Sequence, residues 1–186
     1  HQLQSGITIM DPYTGNIVGM VGAMGPKTQN LVDNYAVQKH QVGSSIKPLT
    51  VYSAALDAGA VTPATTFDNY PVELMNNSPW PKNSPNTYTG WTMIGEGVRR
   101  SINTIAVQTV EALGVVDSYA YATEKLGLSL VPEDMAVSPL AMGGLTYGLS
   151  TVEMAAAFSA FANSGVYNSP KMYTDCLLYT SDAADD

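Results

Sequence analysis

Basic residues are scarce in this sequence. Eight lysines and arginines stand against sixteen acidic residues, for a net charge of −8. That balance argues against a nucleic-acid-binding surface, which would need clustered cations. Cysteine is scarcer still. The single one, Cys176, lies close to the end, so the body of the chain has no disulfide and no cysteine metal site. Such economy fits the cytosol and many exported bacterial proteins alike, and does not fix a location. Histidine occurs twice, at His1 and His40, and His40 reads as a loop residue. No apolar run is long enough to span a bilayer. No signal peptide precedes His1, and the chain opens abruptly on strand-like sequence, as expected of a mature or excised domain or of one whose beginning is missing.

What remains is a chain of 186 residues that is 45% hydrophobic and 13% charged, enough for one domain with a sizeable core. The segment "SGITIMDPYTGNIVGMVGAMG" reads as a β-hairpin with Ile7, Ile9, Ile17 and Val21 among its apolar positions and 11–16 as its turn. Its methionines are expected in the core. From Ser44 to about Ala58 the pattern is helical and apolar almost all round, which predicts a buried central helix. Pro48 is tolerated in its first turn. An extended surface excursion around "NNSPWPKNSPNTYTG" follows. Helices are expected near 93–98, over 105–113 with Gly114 as the stop, through "DSYAYATEKLG", and through "STVEMAAAFSAFANSG". The last has a Ser150–Glu153 capping box. The class is α+β, an antiparallel sheet flanked by a helical block. A lone hairpin is only marginally stable, and no later segment clearly supplies further strands, so the sheet is expected to be incomplete.

The stretch "HQVGSSIKPL" carries the first candidate chemistry. A serine hydroxyl is a poor nucleophile at neutral pH unless a base lies beside it. Residues three apart on a helix are neighbours, so Ser44 and Lys47 can meet. On a buried helix the lysine is desolvated and its pKa falls, which lets a neutral amine accept the serine proton. The helix N-terminus would offer backbone N–H groups to a developing oxyanion. The bland alternative is an N-cap serine followed by a solvated lysine. A second element is Ser101-Ile102-Asn103, just ahead of a helix. In an extended segment residues i and i+2 point the same way, so both side chains could face one cleft, although Asn103 could equally cap the helix. Ser84-Pro85-Asn86 has the same spacing but sits in a proline-rich loop.

These elements, with the text around them, resemble the transpeptidase domain of penicillin-binding proteins, of the bifunctional class A kind, in the superfamily that also contains serine β-lactamases. "ITIMDPYTGNIVGMVG" looks like the family's opening hairpin and "VGSSIKPLTVYSAALDAG" like its nucleophile helix. "WPKNSPNTYTGWTMIGEGVRRSINTIAVQ" is similar to the approach to its second motif. "LAMGGLTYGLSTVEMAAAFSAFANSGVYNSP" is similar to the segment ahead of its third. The resemblance implies that Ser44 is acylated, Lys47 is the general base, Ser101 relays a proton to the leaving amine and Asn103 binds the peptide. It implies D-alanyl-D-alanine stem peptides of peptidoglycan as substrate and β-lactams as inhibitors, with no cofactor and no metal. It also implies a place on the extracytoplasmic face of a bacterial membrane, held by an N-terminal anchor outside this sequence.

The sequence departs from that family in one important respect. The third motif, Lys-Thr/Ser-Gly on a cleft strand, is absent after every lysine, so the chain as it stands is expected to be inactive. The missing strand would also complete the sheet. Residues 1–173 read as a partial transpeptidase domain. "DCLLYTSDAADD" has no counterpart in the family, and 174–186 read as an unrelated, artefactual tail. Val42 stands where the family favours proline, and His40 where arginine is common. Trp80, Tyr88 and Trp91 are cleft candidates or simply packing. Two further readings stay open. One is a non-catalytic penicillin-recognising sensor or scaffold. The other is a D,D-carboxypeptidase or β-lactamase on the same fold, for which Glu133 lies in the right general region.

Overall fold

The structure is a computed structural model that describes residues 3–26 and 32–173. Its elements are the antiparallel hairpin β1 (Ile7–Met10) and β2 (Ile17–Val21), four short strands, and a block of helices. The candidate tail 174–186 and Lys27 lie outside the described residues.

The expected buried helix exists, but it is wound in three ways. A 3-10 turn spans Gly43–Ile46, a π turn spans Pro48–Tyr52, and α1 spans Ser53–Asp57. Pro48 explains the change of winding. It has no N–H to give, so the carbonyl of Ser44 is taken by Lys47 N–H instead. The widened winding brings Ser53 N–H to Pro48 O. Two hydroxyls lock this helix to its neighbours. Thr50 Oγ1 donates to Leu140 O at 2.6 Å, and Ser118 Oγ donates to Thr50 O at 2.7 Å.

The same helix lies between two apolar clusters. Val51, Tyr52 and Ala55 join Ile94, Ile105 and Val110 on one side. Ile46 and Leu49 join Leu126, Leu145 and Leu149 on the other. Ile46, Leu49 and Val51 are fully buried, each contributing roughly 2 kcal/mol of apolar transfer. A helix without a polar face therefore sits at the centre of the molecule.

The helical block continues with α2 (Ile94–Arg99), α3 (Asn103–Leu113), α4 (Val115–Ala120) followed by a π turn over Tyr121–Lys125, α5 (Val137–Met142) and α6 (Thr151–Ala162). The sequence patterns locate all of these except α5, and they place the start of α3 two residues late. The Ser150–Glu153 capping box is formed.

Two expectations are corrected. The hairpin is packed on one face only. Thr8 faces α6 through a 2.7 Å bond to Thr151 Oγ1. Ile7, Ile9 and Val21, on the opposite face, are about half exposed. Alternation along a strand identified the apolar face but not which face the helices cover. The loop region also holds more strand than expected. β3 (Thr66–Asn69) pairs with β6 (Gly90–Met93), and β4 (Glu73–Met75) with β5 (Ser78–Trp80). Asn76 and Asn77 both have positive φ at the tight turn between β4 and β5, where asparagine tolerates the left-handed region. These strands form separate two-stranded sheets and do not extend the first hairpin.

Candidate active site

Ser44 sits in the 3-10 turn and is exposed, whereas Lys47, one turn later, is 1% exposed. Gly43 begins the turn with φ +52, a left-handed conformation that glycine adopts at little cost. The backbone of 143–149 packs against this approach. A Cβ on Gly143 would lie 2.1 Å from Gly43 O, so the two backbones touch. Gln41 Nε2 donates to Leu145 O, and His40 pairs with Leu149 through both backbone bonds. The carboxylate of buried Asp134 in turn holds that segment, accepting from Thr146 N at 2.7 Å and Thr146 Oγ1 at 2.8 Å.

Ser101 has φ +53, an uncommon conformation for a non-glycine residue that costs on the order of 1 kcal/mol. Ile102 is extended and buried, and Asn103 is the first residue of α3. The two polar side chains therefore share a cleft for a different reason from the one expected. A left-handed residue and a helix start converge, rather than two positions of an extended strand.

The structure brings Lys47, Ser101 and Asn103 together. Lys47 Nζ donates to Asn103 Oδ1 at 2.5 Å, to Ser101 O at 2.8 Å, and lies 3.2 Å from Ser101 Oγ. Among the described residues, no carboxylate is one of its partners. Desolvation accordingly depresses its pKa to about 8 from an ordinary 10.5. Among the described residues no hydrogen bond joins Ser44 Oγ to Lys47, while Ser45 Oγ is occupied by Val42 O at 2.6 Å. Both serines are exposed, and among the described residues Ser44 is the one of the two whose hydroxyl has no hydrogen-bond partner.

Asn103 is tied at both ends of its amide. Its Oδ1 meets Lys47, and its Nδ2 donates to Lys82 O at 2.7 Å. Its role as a peptide-binding group would use the same atoms. The helix cap comes from Asn83, whose Oδ1 accepts from Asn103 N at 3.0 Å and Thr104 N at 3.3 Å. Sequence inspection missed Asn83 because a cap from twenty residues upstream leaves no local pattern. Behind it lies Asn69, only 2% exposed, whose Oδ1 accepts from Asn83 Nδ2 at 2.8 Å and Thr104 Oγ1 at 2.5 Å.

The remaining candidates fall elsewhere. His40 is exposed and stacked on Tyr35. Trp80 packs against the core, Tyr88 leans on Tyr70, and Trp91 is 78% exposed. Asn86 Oδ1 accepts from Tyr88 in the loop, away from Lys47. Glu133 is exposed on a surface turn. Among the described residues, no group of acidic, histidine or cysteine side chains could hold a metal ion, and no helix is long and apolar enough to cross a membrane.

Known proteins share both the sequence and the fold of this chain. Penicillin-binding protein 1A of Clostridium botulinum is 36% identical over 181 residues, which is 92% of this chain and 22% of that protein. Penicillin-binding protein 1A of Vibrio cholerae is 36% identical over 167 residues, or 87% of this chain and 19% of the other. The chain thus spans about a fifth of the curated relatives it matches. The crystal structure of penicillin-binding protein 1A from Haemophilus influenzae superposes with a TM-score of 0.76 at 26% identity, over 90% of this chain and 25% of that one. Residues 5–182 match the family described as "Penicillin binding protein transpeptidase domain". With an exposed serine one turn from a buried lysine on that shared fold, the chain belongs to the penicillin-binding protein transpeptidase family.

Proposed function

We propose that this chain carries the acyl-transfer machinery of a serine D,D-transpeptidase that cross-links peptidoglycan. The observation that supports it most is the state of Lys47. It is buried, has no counter-charge among the described residues, and is gathered with Ser101 and Asn103 one turn from an exposed serine.

Ser44 Oγ attacks the carbonyl between the last two D-alanines of a stem peptide. The Oγ–carbon bond forms, and the hydroxyl proton passes to neutral Lys47. The carbon–nitrogen bond then breaks. Ser101 Oγ hands its proton to the departing amine and takes in exchange the one held on Lys47 Nζ, so D-alanine leaves with a neutral amine and Lys47 returns to its neutral form. An amine of a second stem attacks the ester and forms the cross-link. Its carbon–nitrogen bond forms as the carbon–Oγ bond breaks, and the proton it loses passes through Ser101 and Lys47 back to Ser44 Oγ. A β-lactam acylates Ser44 by the same first step, its ring nitrogen remaining attached to the acyl group. Backbone N–H groups of the serine turn would stabilise the oxyanion. Asn103 orients the bound peptide as well as Lys47. No step needs a metal or a cofactor.

Full turnover calls for a Lys-Thr/Ser-Gly strand that these residues do not contain, so the 186 residues alone acylate poorly. In the whole protein the unit works on the extracytoplasmic face of the membrane, with stem peptides as partners. The test is labelling of the whole protein with a fluorescent penicillin, followed by peptide mass mapping. A stable adduct on Ser44, lost in Ser44→Ala and Lys47→Ala, is expected. Equal labelling in those variants, or an adduct on Ser45, overturns the assignment. An adduct that hydrolyses within minutes would identify a β-lactamase instead.

A further inference from the structure

We propose that Asn83 is a positioning residue that sets the orientation of the Asn103 amide and so directs the hydrogen bonding of Lys47. The catalytic meaning of this inference rests on the proposed function. Its geometry does not.

Asn83 holds two backbone groups of α3 with one oxygen, Asn103 N–H at 3.0 Å and Thr104 N–H at 3.3 Å. Its own amide nitrogen donates to Asn69 Oδ1 at 2.8 Å and Thr87 O at 3.0 Å. Four bonds thus fix residue 83 between the loop and the helix. The carbonyl of Lys82, one residue earlier in the chain, is fixed with it, and Asn103 Nδ2 donates to that carbonyl at 2.7 Å.

An asparagine amide can be turned over with little steric change, so its partners decide which end points where. Here only one orientation satisfies both ends. Turned over, Asn103 would set its NH2 against the Lys47 amine and its oxygen against Lys82 O, pairing donor with donor and acceptor with acceptor. The Lys82 carbonyl therefore makes Asn103 an obligate acceptor toward Lys47.

That has a consequence for the amine. Ser101 O is a second obligate acceptor, at 2.8 Å from Nζ. A neutral amine has two N–H bonds and one lone pair. Asn103 Oδ1 and Ser101 O take the two N–H bonds, which leaves the lone pair for a hydroxyl. Ser101 Oγ, at 3.2 Å, is such a hydroxyl, able to donate or accept. Asn83 thereby sets the direction in which protons pass, without touching Lys47.

The test reads Lys47 itself. Lysines in the whole protein are labelled with 13C at Cε and titrated by NMR, the Lys47 signal being assigned by its loss in Lys47→Arg. Asn83→Ala frees the amide of Asn103, so the ammonium loses a fixed acceptor and the midpoint of Lys47 falls by about one pH unit. In the Asn103→Ala background the same substitution produces no further shift. An unmoved or raised midpoint, or a full-sized shift that persists without Asn103, overturns the proposal. If Asn83→Ala does not fold, Asn83→Ser, which keeps an oxygen at the helix end, decides by the same readings with a smaller downward shift. Neither reading depends on acylation, so failure of the transpeptidase assignment would appear separately, as the absence of an adduct on Ser44.

Discussion

Asn103 and Lys47 share a polar contact of 2.5 Å between Oδ1 and Nζ, and among the described residues no carboxylate stands beside them. A neutral amide solvates the amine without adding charge, so burial dominates and the lysine titrates near 8. Acylation of Ser44 should therefore rise with pH and level off above about 8. Stopped-flow labelling across that range checks it. A rate that is flat between about pH 6.5 and about pH 9.5 would remove Lys47 from the role of base.

Stability should follow the same group. The folded pKa near 8 is lower than the ordinary 10.5, so between those values the unfolded chain binds more protons. Stability from this group then increases as pH rises through that window. Burying the charged form costs on the order of 3 kcal/mol. Urea unfolding of the native chain and of Lys47→Met, at neutral and alkaline pH, isolates the effect. The native chain should gain on the variant as pH rises. No difference in slope between the two chains would place the lysine in water.

Gly143 is a steric prediction. With φ +74 and a would-be Cβ 2.1 Å from Gly43 O, Gly143→Ala must push the 143–149 segment off the serine turn. A loss of about 2 kcal/mol is expected, together with at least about a tenfold slower Ser44 acylation. Gly144→Ala, where the added carbon meets open space, is the control and should behave like the native chain.

Asp134 is buried at 3% exposure and accepts from Val131 N as well as the two Thr146 donors. Asp134→Ala takes the charged acceptor from the partly buried N–H groups of Val131 and Thr146 and should cost about 2–3 kcal/mol in urea unfolding. Asp134→Asn keeps one acceptor oxygen and should recover part of that loss. Equal values for the two variants would mean that Thr146 finds other partners.

The Ser150 cap offers a smaller test away from the site. Its hydroxyl accepts from Glu153 N at 3.2 Å, and Glu153 Oε2 accepts from Ser150 N at 2.9 Å. Ser150→Ala should destabilise by about 1 kcal/mol, with acylation unchanged.

The elements legible in the sequence were those with local signals. The apolar run around Leu49 announced a buried helix, Gly114 a helix end, and Ser150 with Glu153 a helix start. Lys47 was legible as a candidate because a lysine on an apolar helix is desolvated if that helix is buried, although a solvated first-turn lysine fits the same pattern. The rest depended on distant partners. α5 is six residues long, with Pro139 inside it, and presents no apolar period. β4 and β5 have three residues each, too few for alternation to register. Ser101 was assigned to an extended segment because nothing local announces a left-handed serine. Asn83 and Asn69 looked like ordinary loop asparagines, and only their bonds across to α3 distinguish them. The covered face of the hairpin was likewise set by α6, which lies far down the chain.

The contact between Gly43 and Gly143 also has a history in time. Ser44 and Lys47 leave the ribosome long before the glycine that abuts their turn, and well before the Ser101–Asn103 pair that surrounds the amine. Until those later residues emerge, the lysine stays in water with the basicity of any surface amine, and the serine beside it is an ordinary alcohol. The environment of this pair is thus set by the arrival of those later residues rather than by the appearance of its own two, which keeps the nascent chain chemically quiet until it folds.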